Sequence, residues 1–156
     1  MLKKIFLYIL CLLPWFISYL FKIDYTYLES LKKPFFTPPS IFYSIAWTIV
    51  YIFISITIYN IITNYKLKEI PKSYKITLLI NYLFNQSFVI VFFILKNNFL
   101  GFISCLGTFL STLFLYEETS LLQSKKKYLL DPYLILSLFA TILSLTIYLM
   151  NIYVNN

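Results

Sequence analysis

The sequence of 156 residues contains no histidine and no arginine, and it has only two glycines and two cysteines. Without histidine the chain lacks the commonest metal ligand, the usual general base and the usual proximal haem ligand. Cys11 and Cys105 both lie inside apolar stretches, which favours buried apolar side chains over a disulfide or a metal site. Sequence motifs of nucleotide-binding loops, zinc proteases and nucleophile elbows are also absent. No catalytic or metal-ligating residue is therefore predicted.

Charge is scarce as well, with 12% charged residues against 60% hydrophobic ones. A soluble domain of this length cannot hide so much apolar surface, so the composition indicates a membrane protein. The net charge of +7 comes from thirteen lysines, which lie in short loops beside apolar segments. That placement favours contact with lipid headgroups and control of orientation over nucleic-acid binding.

Five apolar segments approach the length of about 20 residues that spans a bilayer. They run over about 5–21, 41–62, 76–95, 99–116 and 129–154. The sequence therefore predicts an all-α membrane protein, a bundle of five transmembrane helices forming one domain over 1–156. Lys3 and Lys4 before the first segment also fit a signal peptide, but no small-residue cleavage site follows, which favours a retained helix.

Lysine is distributed unequally between the two sides that five spans define. Four lysines lie on one side, and the other side holds nine: Lys3, Lys4, Lys66, Lys68, Lys72, Lys75, Lys125, Lys126 and Lys127. Because positively charged loops stay in the cytoplasm, we expect a cytoplasmic N-terminus and a C-terminus outside.

The loop between the first two segments is stiff and aromatic. Pro34, Pro38 and Pro39 fix the backbone and remove three N–H donors, and Phe35 and Phe36 lie between them. A simple connection would not need aromatic side chains on such a frame. The pattern therefore predicts a lid or a pocket wall.

Polar and aromatic residues inside the spans leave two alternatives open. Trp47 and Tyr51 share a helix face and suit either an interfacial aromatic belt or a pocket. Asn85 lies in hydrocarbon and needs a hydrogen-bond partner. It therefore makes either a bond between helices or a polar point in a ligand cavity.

A third alternative concerns a stripe of small residues in the fourth segment. Ser104, Thr108 and Thr112 recur at every fourth residue and share one face. Small residues allow helices to approach closely, so the stripe serves packing inside the bundle or a dimer face.

Four motifs taken in order carry a family resemblance. They are Lys33-Pro34-x-Phe36-Thr37-Pro38-Pro39, Trp47-Thr48-x-x-Tyr51, Asn85-x-x-Phe88, and Pro132-Tyr133 followed by Phe139-Ala140-Thr141 and Asn151. This order resembles the TspO/MBR family, which includes the translocator proteins. The resemblance implies a five-helix membrane bundle, often homodimeric, in the bacterial inner membrane. Its ligand cavity would lie under the loop between helices 1 and 2.

The resemblance also implies the residues of the binding site and their ligand. The expected ligand is a porphyrin such as protoporphyrin IX, or haem, and no cofactor is required. Tryptophan is usual where Phe36 and Phe88 stand, although phenylalanine still offers a flat face for stacking. The implied ligand-binding residues are Phe36, Pro38, Trp47, Tyr51, Asn85, Phe88, Ala140 and Ser144.

Three functions follow from the resemblance, and the residues alone leave all three open. The first is a porphyrin-binding protein with a sensory or regulatory role. The second is an enzyme that degrades protoporphyrin in light, and the third is a transporter of tetrapyrroles or sterols. An apolar pocket with a few polar groups favours the first.

Overall fold

The computed structural model describes residues 2–21 and 23–152. Within these ranges the regular structure is helical, and no strand is present. The α-helices are α1 (Leu2–Leu12), α2 (Tyr25–Ser30), α3 (Ser40–Asn64), α4 (Lys72–Val89), α5 (Asn98–Leu121) and α6 (Asp131–Asn151). All but α2 belong to five stretches long and apolar enough to cross a membrane, which run over Leu2–Leu20, Ser40–Asn64, Lys72–Ile94, Asn98–Leu121 and Lys127–Asn151. The predicted fold class is confirmed.

The fourth span differs from its predicted end, because α5 continues beyond residue 116 to Leu121. Polar side chains hold this extension in place. The Thr119 hydroxyl donates to the carbonyl of Leu115 at 2.6 Å, and Ser73 of α4 donates to Glu118 at 3.0 Å. The predicted end of the fifth span, residue 154, lies outside the described residues.

The five long helices form a closed ring. Helix α3 packs between α1 and α6, and α5 packs between α4 and α6. The second half of the first span completes the ring by packing against α4. The interior of the ring is therefore enclosed by protein on all sides along the membrane.

One half of this interior is densely filled, and we call it the packed half. Its centre is Asn81, which is fully buried and whose Oδ1 accepts a hydrogen bond from the Tyr133 hydroxyl at 2.9 Å. The Asn81 amide nitrogen donates to Thr108 O, Ser111 Oγ and Thr112 Oγ1 at 2.8–3.2 Å. Helices α4, α5 and α6 are thus joined at one point. Besides Asn81, the packed half comprises Trp15, Val50, Ile54, Ile58, Ile61, Ile70, Tyr74, Leu115, Leu122, Leu130 and Tyr133. Tyr51 belongs to the same buried cluster and forms its border with the cavity.

The stripe of small residues on α5 lies inside the bundle. Ser104, Thr108 and Thr112 are all buried within the single chain. The Ser104 hydroxyl lies 3.1 Å from the Ser87 hydroxyl of α4, which requires the close helix approach that small residues permit. The structure thus shows the packing alternative for this stripe.

The first span changes halfway from an α-helix to a tighter 3-10 helix, which the sequence did not predict. After Leu12 the chain continues as a 3-10 helix over Leu13–Leu20, with Pro14 in its first turn. Side chains of α4 satisfy the backbone there. Gln86 accepts from Ser18 N at 2.9 Å and donates to Trp15 O at 3.3 Å, and Tyr82 donates to Pro14 O at 3.2 Å. Backbone groups at membrane depth need such partners.

Candidate functional site

A cavity of about 540 Å³ lies between the packed half and the proline-rich loop. Together with that loop we call it the cavity half. All five spans contribute to its wall, and so do α2 and the loop itself. The volume falls in the range of about 300–1,000 Å³ that small-molecule sites occupy.

Seven of the eight predicted binding residues line this cavity. The three spans and the loop that carry them are distant in sequence, so the fold assembles the group. The seven are Pro38, Trp47, Tyr51, Asn85, Phe88, Ala140 and Ser144. Whether they bind a ligand stays a prediction.

The floor of the cavity is formed by Trp47, Tyr51 and Asn85. The Trp47 and Tyr51 rings lie 5.8 Å apart, and the Tyr51 hydroxyl donates to Asn85 Oδ1 at 2.9 Å. Gln86 donates to the same oxygen at 2.9 Å. Asn85 therefore makes a bond between helices and also borders the cavity, and its role toward a ligand stays a prediction. Its amide nitrogen donates to no described residue and remains available to a ligand.

An aromatic wall stands on α4 and the segment that follows it. Phe88 and Phe92 are stacked with centroids 5.1 Å apart, and Phe93 meets Phe92 edge-on at 4.9 Å. Residues Ile90–Ile94 form a π-helical turn, in which Leu95 N donates to Ile90 O at 2.9 Å. The wider turn directs both Phe92 and Phe93 to the cavity wall. Such turns occur frequently at functional sites.

The roof differs from the expectation for the two phenylalanines of the loop. Phe35 is fully exposed, and Phe36 packs edge-on against Phe139 of α6 at 6.4 Å, outside the cavity lining. Phe36 thus does not line the cavity, although the resemblance places it among the ligand-binding residues. The loop instead contributes Thr37 and Pro38 to the roof, together with Lys33 and Pro39.

One end of the loop is fastened to the end of α6. Asn151 is buried, and its side chain pairs with the backbone of Lys32 in both directions: Lys32 N donates to Oδ1 at 3.0 Å and Nδ2 donates to Lys32 O at 2.9 Å. A turn follows in which Thr37 N and Oγ1 both donate to Pro34 O. The roof is therefore held by a paired amide and a stiff backbone.

The other end of the connection is fastened to the turn between α4 and α5. Asp24 caps α2 by accepting from the backbone of Thr26 and Tyr27, and it pairs with Lys96 at 2.9 Å. The Tyr27 hydroxyl donates to Asn98 Oδ1 at 2.7 Å. Hydrogen bonds, from the Thr26 hydroxyl first and then from Lys96, hold the pKa of the Asp24 carboxyl below its ordinary value.

Sequence reasoning missed Tyr43 in this site. Tyr43 lines the cavity one turn before Trp47. The spacing of four residues from Tyr43 to Trp47 and again to Tyr51 places all three on one face of α3, and this signal was available in the sequence. On α6, Ile147 follows Ser144 at a spacing of three and lines the cavity in the same way.

The arrangement agrees with one family of membrane proteins. The sequence model of the TspO/MBR family matches residues 6–150. The chain belongs to the TspO/MBR family. The match spans every element that lines the cavity, and it confirms the resemblance carried by the four sequence motifs.

Individual members of the TspO/MBR family give the same result. The chain is 40% identical over 134 residues to the tryptophan-rich protein TspO of Bacillus cereus, covering 86% of each chain. It is 37% identical over 135 residues to the membrane protein YtaB of Bacillus subtilis, again covering 86% of each. It is 32% identical over 132 residues to the tryptophan-rich protein TspO of Archaeoglobus fulgidus, covering 81% of this chain and 80% of the relative. With two tryptophans, the present chain keeps the family fold with little of the tryptophan that two of these names record.

Proposed function

We propose that this member of the TspO/MBR family binds a flat, largely apolar ligand of the porphyrin class in the cavity half, with a sensory or regulatory role. The observation that carries the proposal is the cavity itself, where Trp47 and Phe88 offer aromatic faces and Asn85 offers a free amide donor. Apolar walls with few polar groups suit such a ligand. Aromatic faces stack on a tetrapyrrole ring.

The chemistry of the wall favours a free-base porphyrin over iron-ligated haem. The sequence has no histidine to bind the iron. A free-base ring needs only stacking surfaces and hydrogen bonds, and the wall residues supply both kinds of contact. We therefore take protoporphyrin IX as the probe for the site.

The test is a titration of the purified protein with protoporphyrin IX in darkness, followed by porphyrin fluorescence. We expect saturable quenching at one porphyrin per chain. Trp47→Ala removes a stacking face and should weaken binding about tenfold, the effect of about 1.4 kcal/mol.

The matched control is Phe35→Ala, which truncates an exposed aromatic residue of the roof loop outside the cavity lining. It should bind protoporphyrin IX like the wild type. Linear, unsaturable uptake by the wild type would show partition into detergent and would overturn the proposal.

Light-dependent degradation of protoporphyrin is a second candidate, favoured by the rings around Trp47. Trp47 borders the cavity, and its ring lies edge-on to Tyr133 with the ring centroids 6.0 Å apart. Trp15 stacks on Tyr51 with the ring centroids 5.7 Å apart. Illumination of the complex should then bleach the porphyrin faster than detergent alone does, and Trp47→Phe should slow the loss. Equal bleaching in both samples would remove this candidate.

For the membrane we propose an inner-membrane location with the N-terminus in the cytoplasm. The support is the excess of nine lysines over four on one side of the five spans. This orientation puts the cavity half and its roof loop on the outer side. Membrane-impermeant labelling of cysteines placed at Lys33 and at Lys126 should modify the first in intact cells and the second only after lysis.

A further inference from the structure

The Tyr43 hydroxyl is an unpaired polar group in the wall of the cavity. It is enclosed by protein, and no described residue donates to it or accepts from it. A buried hydroxyl without a hydrogen bond is unfavourable, and in native proteins such a group calls for a specific explanation. The ring of Tyr43 meanwhile lines the cavity.

Three other hydroxyls of the cavity wall are paired within the chain. Tyr51 donates to Asn85, Thr108 donates to Ser104 O, and Ser144 donates to Thr141 O. Two further buried polar atoms without partners among the described residues, on Tyr74 and Asn98, lie outside the cavity lining. The unpaired hydroxyl of Tyr43 therefore coincides with the candidate site.

The position of Tyr43 in the cavity indicates which part of a ligand it meets. Tyr43 lies in the first turn of α3, one turn nearer the roof loop than Trp47. A porphyrin with its apolar ring on Trp47 and its hydrophilic edge toward the loop would bring that edge to Tyr43. Glu29 and Lys33 place one charge of each sign in the wall near that loop.

We propose that the Tyr43 hydroxyl donates a hydrogen bond to a carboxylate at the edge of the bound ligand and so selects carboxylate-bearing porphyrins over alkyl analogues. This inference rests on the proposed function. Turning the ring toward the ligand would break no hydrogen bond to a described residue, because the enclosed hydroxyl has none there. A phenol is protonated at neutral pH and can donate, and a charged acceptor makes the stronger bond.

The test compares two fluorescent porphyrins that differ at the edge. Protoporphyrin IX carries two carboxylates, whereas etioporphyrin carries alkyl groups alone. Tyr43→Phe should weaken protoporphyrin IX binding about tenfold and change etioporphyrin binding by less than about twofold. Without porphyrin the variant should keep the wild-type melting temperature, since the lost hydroxyl has no partner among the described residues. A lower melting temperature would indicate a structural role and contradict the inference.

Tyr74→Phe is the matched control. It removes another buried hydroxyl without a partner, outside the cavity, and should leave both affinities unchanged. Equal weakening of both porphyrins by Tyr43→Phe, or no weakening of either, would overturn the role of Tyr43 while leaving porphyrin binding in place. A wild type that binds neither porphyrin would overturn the proposed function and this inference with it.

Discussion

Two asparagines of α4, one helical turn apart, show how the packed half differs from the cavity half. Asn81 is fully buried, and residues of two neighbouring helices, α5 and α6, satisfy its amide within the chain. Asn85 accepts from Tyr51 and Gln86 but keeps its amide nitrogen free at the cavity. The polar groups around Asn81 in the packed half bond to each other, although the buried Tyr74 hydroxyl of that half has no partner among the described residues. In the cavity half, the unpaired groups lie in the cavity wall. Asparagine thus joins helices at position 81 of α4, and one turn later, at position 85, it also leaves a hydrogen-bond donor at the cavity.

The packed half should respond most strongly to the loss of its central amide. Asn81→Leu leaves the Tyr133 hydroxyl without its acceptor and removes the bonds to α5. We expect a loss of about 3 kcal/mol in the free energy of unfolding, because buried partners are left unsatisfied. Unfolding in mixed detergent measures it. A loss below that of Asn85→Leu would contradict the assignment of the two halves.

Two glycines on α5 give a second comparison. An alanine Cβ at Gly101 would come within 2.6 Å of Phe92 Cδ2 in the cavity wall, and one at Gly107 would clash with the Phe84 ring outside it. Both alanine variants should lose about 2 kcal/mol of stability through overpacking. Only Gly101→Ala should also weaken the binding of protoporphyrin IX in the fluorescence titration, since Phe92 must move. Equal affinities for the two variants would show that the Phe92 wall is not part of the site.

The attachment of the roof can be tested at Asn151. Asn151→Leu removes both hydrogen bonds to the Lys32 backbone, at a cost of about 1 kcal/mol. The roof loop should then open more often, and trypsin should cut faster after Lys32. Asn64→Leu, at an exposed position at the far end of α3, is the control and should not change the rate. Unchanged cleavage in Asn151→Leu would show that the roof is held elsewhere.

The ion pair at the other attachment should give the smallest effect, because both side chains are partly exposed. The pKa of Asp24 is lowered in the folded state, so its contribution is present at neutral pH and is lost as the pH falls below about 4. Asp24→Asn should slightly speed hydrogen exchange of the Tyr27 amide at pH 7. The difference from the wild type should shrink in acid and in high salt. A difference that grows in acid would contradict this sign.

The sequence predicted the five helices, because lipid imposes length and apolarity on each span separately. Seven residues of the cavity wall were predicted from the family resemblance and not from the pattern of the spans. The sequence did not predict the 3-10 helix after Leu12, because the backbone there is hydrogen-bonded to Gln86 and Tyr82, which lie far away in sequence. Nor could the sequence predict the directions of the two adjacent phenylalanines of the loop. Phe36 packs against Phe139, and Phe35 is exposed. Such choices depend on contacts made only in the folded bundle.

The central claim, that ligand occupies the cavity half and leaves the packed half alone, has a direct test in the two native cysteines. Cys105 lines the cavity, and Cys11 packs against the core of the packed half. Protoporphyrin IX should slow the reaction of Cys105 with methyl methanethiosulfonate several-fold and leave Cys11 unchanged, as followed by mass spectrometry. Equal slowing at both cysteines, or slowing at Cys11 alone, would contradict the account.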